Sequence, residues 1–161
     1  MKIEFSLKDD QQGEAPVRHS PSQLYYDAYV ADFRIICHGE PPIVVPEGPA
    51  LHFLTALQSM FLESFLTGRA ATTYLFETGA RMSVTIAGDE IAIEIPAGIT
   101  LVRCPTNEFI AALKDATLKL LWIIYEHEPQ LLVQKGLFAE GSIQAHAARL
   151  ILDGKLRQDK R

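Results

Sequence analysis

Residues 35–42 read IICHGEPP and set a thiol, an imidazole and a carboxylate (Cys37, His38, Glu40) within four positions. Such a cluster suggests nucleophilic chemistry, because a neighbouring base converts the thiol to the attacking thiolate. The residues before it argue otherwise. Tyr29, Ala31, Phe33, Ile35 and Cys37 alternate with Val30, Asp32, Arg34, Ile36 and His38, the period of a strand. On a strand, Cys37 and His38 face opposite sides of the sheet and cannot form a thiolate–imidazole pair. Cys37 continues the apolar face and is expected in the core, with His38 outside. Gly39, Pro41 and Pro42 end the strand, since proline donates nothing to a ladder.

Other candidates also fail on spacing. Glu126, His127 and Glu128 are consecutive at a predicted helix end, so their side chains fan out by about 100° each. A helical metal site needs ligands three or four residues apart. His52, in the first turn of an amphipathic helix, and His146, between two alanines, read as half-buried or surface residues. Glycine-rich phosphate loops, HExxH and GxSxG are absent from the sequence. No catalytic residue, metal or cofactor is therefore expected. The two cysteines lack CxxC spacing, which excludes a zinc ribbon or thioredoxin-type motif. Cys37 and Cys104 each follow an apolar, strand-like run. They are expected as buried free thiols, with spatial proximity left open.

The elements that would position these residues follow from periodicity. KIEFSLK alternates Ile3, Phe5 and Leu7 with polar residues, a half-buried strand; residues 9–23 read as a polar loop. After the strand ending at Cys37, IVV is a short extended piece. EGPALHFLTALQSMFLESFLTG predicts a helix, with Pro49 in its first turn, Gly68 as its cap, and a stripe of Phe53, Leu57, Met60/Phe61 and Ser64/Phe65. ATTYLFET, RMSVTIA and EIAIEIP predict three strands, the last two joined by a Gly88-Asp89 turn, and ITLV a further short one. A second long helix runs from PTNEF to IIYEHE, with Phe109, Leu113, Ala116/Thr117, Leu120 and Ile124 inward. A third spans about Ser142 to Leu152. The expected fold is α+β: a mainly antiparallel sheet of five to six strands, with two long helices and a shorter C-terminal helix on one face. Residues 1–152 form one domain, and 153–161 a charged tail.

The chain has 161 residues and a net charge of −5. Residues 27–94 hold nine acids against three bases, and the remainder 11 acids against 12 bases. The acidic stretch argues against nucleic acid and favours a basic partner. No apolar run approaches the roughly 20 residues of a membrane span, and the N-terminal residues lack a signal-peptide core, so a cytoplasmic location is expected.

Two strands leading into PALHFLTALQSMFLESFL, then YLFETGARMSVTIAGDEIAIEI and a long helix ending near HEPQLL, resemble small bacterial immunity-type proteins. These are found beside polymorphic or contact-dependent toxins. The resemblance covers about residues 25–135 and lies in the order of elements, so no site residue is carried over. It implies a non-catalytic protein that blocks a toxin by direct binding, its acidic surface meeting a basic toxin domain. The expected contact residues are Asp32, Arg34 and His38 on the outer strand face, Glu40 at its rim, and Glu94, with Ser83 and Thr85, on neighbouring strands. Two alternatives remain. One is a small enzyme or ligand-binding domain with a pocket between sheet and helices, drawing on Tyr25, Tyr29, His38 and His52; the other is a homo-oligomeric structural domain.

Overall fold

The computed structural model describes residues 1–8, 20–75, 79–95, 100–134 and 137–153. The expected tail from residue 154, and most of the expected 9–23 loop, lie outside them. Seven strands and five helices are described. Lys2–Leu7 (β1), Val30–Ile36 (β2) and Ile43–Pro49 (β3) form a three-stranded sheet in sequence order. Ala71–Leu75 (β4), Ala80–Ala87 (β5), Glu90–Ile95 (β6) and Thr100–Pro105 (β7) form a four-stranded sheet, also in sequence order. Every pairing is antiparallel.

The fold is α+β, as the periodicity implies. The expectation of a single sheet is corrected to two, of three and four strands. Hairpin connections fix pairing only between strand neighbours in sequence. The helix Ala50–Thr67 (α2) enters directly from β3 and separates the two meanders. IVV begins β3, and the described part of ITLV, Thr100 to Val102, begins β7.

The helix Pro21–Tyr26 (α1) overlaps the end of the expected 9–23 loop and continues past it. Its start is encoded locally: Ser20 accepts from the Gln23 N–H at 3.2 Å, while the Gln23 side chain accepts from the Ser20 N–H at 2.8 Å. This reciprocal cap, with Pro21 in the first turn, satisfies two donors that a helix start leaves unpaired.

α2 packs on both sheets. Phe53 lies 4.3 Å, centroid to centroid, from Phe33 of β2, and Ser64 Oγ accepts from the Ile86 N–H of β5 at 3.0 Å. Of the pair Ser64/Phe65, serine is thus the buried member, and Phe65 stays 66% exposed. α2 ends at Gly68, whose φ of +64° is the left-handed conformation that glycine adopts without cost. The helix Thr106–His127 (α3) buries Phe109, Leu113, Ala116, Thr117, Leu120 and Ile124, the stripe its spacing predicts. Phe109 stacks on Phe61 of α2 at 5.6 Å, and Lys119 lies 4.9 Å from the ring of Phe5 on β1. Trp122, the single tryptophan of the sequence, donates to Glu126 at 3.0 Å. After the short helix Pro129–Leu132 (α4), the helix Ile143–Leu152 (α5) packs on α3, capped by Ser142.

One buried polar pair joins the two halves of the chain. Tyr29, with a φ of +54°, stands between α1 and β2, and its hydroxyl donates to Glu128 at 3.1 Å. Both residues are buried, at 5% and 3% exposure. Removing the hydroxyl leaves a buried carboxylate with one hydrogen bond fewer. Tyr29→Phe, which keeps ring and backbone, is expected to cost about 1–3 kcal/mol in urea unfolding, with the native circular dichroism retained.

Candidate functional site

The residues of IICHGEPP separate as alternation requires: Cys37 is 4% exposed, and His38 and Glu40 are exposed. Glu40 N–H donates to the Cys37 carbonyl at 3.3 Å, closing a tight turn in which Gly39 takes a φ of +85°. Glu126, His127 and Glu128 also diverge, since Glu126 bonds Trp122, Glu128 bonds Tyr29, and His127 is exposed. Among the described residues, no three His, Cys, Asp or Glu side chains converge.

The five expected contact residues lie in two places. Asp32 and Arg34 are on the exposed face of the three-stranded sheet, opposite Ser6 and Glu4 of β1, with His38 and Glu40 in the turn at its end. Lys8 Nζ reaches Asp32 at 2.8 Å and Glu47 at 3.3 Å. This face therefore holds Lys2, Lys8 and Arg34 against Glu4, Asp32 and Glu47 and is balanced in charge. Glu94 belongs to β6 in the other sheet, where it accepts from Ser83 of β5 at 3.3 Å. The expectation that Ser83, Thr85 and Glu94 flank Asp32 on neighbouring strands is corrected: among the described residues no ladder joins the two sheets. The described acidic surplus sits instead in turns and near helix ends, at Asp27, Glu40, Glu63 and Asp89.

The face of the four-stranded sheet turned away from its buried residues has a different character. The inner face is built from Ala71, Leu75, Met82, Val84, Ile91, Ile93, Ile95, Val102 and Cys104, all buried, with α2 packed on β4 and β5. Across the outer face, Thr72, Ser83, Glu94 and Leu101 form one cross-strand row, and Thr85, Ala92 and Arg103 another. Tyr74, 70% exposed, stands opposite Arg81. Two bases, Arg81 and Arg103, balance two acids, Glu90 and Glu94. Tyr74 was not among the expected contact residues. Its signal was legible in ATTYLFET, where alternation sets Tyr74 against Ala71, Thr73 and Leu75.

Tyr29 is buried against Glu128, His52 is half-buried on α2, and His38 is exposed beyond the far end of β2. The seven-residue strand β2 separates Tyr29 from His38, roughly 20 Å of extended chain. The Tyr25 side chain lies outside the described residues. A cleft of about 250 Å³ between α3 and α5 brings together Lys114, Ser142 and His146. Ser142 Oγ already accepts from the Ala145 N–H at 3.0 Å as the helix cap, a structural use of the one hydroxyl there.

The two cysteines come near each other. Each acts on the other's thiol, and Cys104 Sγ lies 3.2 Å from Met1 Sδ. Burial, reinforced by the neighbouring Cys37, pushes the Cys104 thiol up to about 12. Burial also raises Cys37. The folded state thus holds the Cys104 proton after the unfolded chain has begun to lose it near pH 9. This contribution is complete below that pH and is lost as the pH climbs toward 12. Stability is expected to fall over that interval, and Cys104→Ala to fall less relative to its own value at pH 7, as read from urea midpoints.

Among the described residues, no helix is long and apolar enough to cross a membrane. Comparison of the chain with known protein families, with curated proteins and with solved structures finds no match.

Proposed function

We propose that the chain is a non-catalytic, cytoplasmic protein-binding domain of the immunity type, and that it engages a toxin domain through the open face of the four-stranded sheet. The observation that carries this reading is Tyr74, 70% exposed on the outer sheet face and in register with Arg81, while the reverse face is buried. Tyrosine and arginine dominate the energetics of protein interfaces, and the small Thr72, Ser83 and Thr85 beside them on the same face leave room for a partner to approach. The immunity-type assignment draws its support from the order of elements in the sequence. The contact face is balanced in charge, so the net charge of −5 would act at longer range, steering a basic partner toward the molecule.

The test is capture of the toxin domain encoded beside this gene. Tyr74→Ala is expected to weaken capture on the order of 30-fold without loss of stability, and Glu94→Lys to weaken it as well. Asp32→Lys, on the other sheet, should leave it unchanged. An unaltered affinity for Tyr74→Ala would remove the proposed face. A metabolic enzyme as the gene neighbour, with no toxin domain captured, would remove the immunity reading.

A second reading, a homo-oligomer, is favoured by one observation. Leu62, Phe65 and Leu66 lie at helical spacing near the end of α2 and are 46%, 66% and 79% exposed. Such a patch on a lone subunit invites self-association. On this reading the chain migrates above 17.9 kDa on sizing, and Phe65→Glu returns it to that mass. Migration of the unaltered chain at 17.9 kDa would exclude it.

A further inference from the structure

Three sulfur atoms gather where the two sheets approach each other. Cys37 follows the last residue of β2, and Cys104 lies on β7, an edge strand of the other sheet. Met1 precedes β1, whose register sets Lys2 opposite Ile36, so the chain direction brings Met1 alongside Cys37. Met1 Sδ is 3.2 Å from Cys104 Sγ, and the Met1 side chain is fully buried. The cysteines are 4% and 5% exposed, so the cluster is shielded from water without being sealed from it.

The donor set is chemically selective. Zn(II) takes four ligands, usually thiolates and imidazoles in a tetrahedron. Here, among the described residues, no group of three His, Cys, Asp or Glu forms around the thiols. The hard groups nearby, the Met1 ammonium and the Glu108 carboxylate, are paired with each other at 2.6 Å. That leaves two thiols and a thioether, which match a soft ion that accepts low coordination, and thiolate with thioether is the combination that selects Cu(I). We propose that Met1, Cys37 and Cys104 form a binding site for a soft monovalent metal ion of the Cu(I) class at the junction of the two sheets. Binding forms three metal–sulfur bonds. Each cysteine releases its proton to solvent and becomes a thiolate, the thioether stays neutral, and neither sulfur nor metal changes oxidation state. The bound ion would tie β2 and β1 of one sheet to β7 of the other, which no ladder among the described residues connects.

The experiment is an anaerobic titration of the reduced full chain with Cu(I) against bicinchoninate, a coloured chelator of that ion. One equivalent is expected to pass to the protein, with sulfur-only scattering at the copper absorption edge. Cys37→Ser and Cys104→Ser, each checked for native circular dichroism, should each weaken binding at least about tenfold. If a serine variant fails to fold, the scattering from the unaltered protein decides alone. Copper left entirely with the chelator, nitrogen or oxygen ligands in the absorption spectrum, or full retention by folded serine variants would overturn the site. So would recovery of a Cys37–Cys104 disulfide in place of bound metal, which would make the pair a redox couple instead.

Discussion

The architecture depends on α2 being apolar enough, over its length, to be shared. Phe53 near its start packs on Phe33 of the three-stranded sheet, Phe61 meets Phe109 of α3, and Ser64 near its end bonds the backbone of β5. Among the described residues no backbone ladder runs between the sheets, and side-chain packing on α2 and α3 unites them. The cohesion is non-directional and scales with apolar area, which explains how two separately ordered meanders can lie against one common core. Directional interactions added to it include the Ser64 hydroxyl, the Tyr29–Glu128 pair, the Met1 ammonium–Glu108 pair and the Gln144–Thr55 contact at 3.4 Å.

Much of this was legible in the sequence because it is periodic. Cys37 inward and His38 outward followed from a count of two, and the α3 stripe from Phe109 to Ile124 from a count of 3.6. The capping pattern that starts α1, serine followed three residues later by glutamine with proline between, was equally present in the sequence but was obscured by its polar surroundings. The number of sheets was not legible. Period-2 patterns specify which face of a strand is buried, and hairpins specify the next neighbour; neither says whether the edge of one meander pairs with the edge of another. Asp32 and Glu94 consequently looked like neighbours while belonging to different sheets.

The candidate sites divide along the same line. Glu94 and the exposure of Tyr74 follow from alternation within single strands. The Met1–Cys37–Cys104 cluster depends on tertiary packing that joins residues up to 103 positions apart, so no local spacing announces it. The buried Tyr29–Glu128 pair, 99 positions apart, is of the same kind. In each case an ordinary-looking side chain acquires its character from a distant segment of chain.

That separation has a consequence for the order of assembly. Pairing among β1, β2 and β3, and among β4 to β7, is between sequence neighbours and carries a low entropic cost of closure. The partners that complete the surroundings of Met1 and Tyr29 are Cys104, Glu108 and Glu128. On a ribosome, the first meander would therefore wait, its apolar face only partly covered by α2, until α3 and the residue after it had emerged. The late arrival of one helix, rather than the formation of either sheet, would set the moment at which this chain becomes a closed molecule.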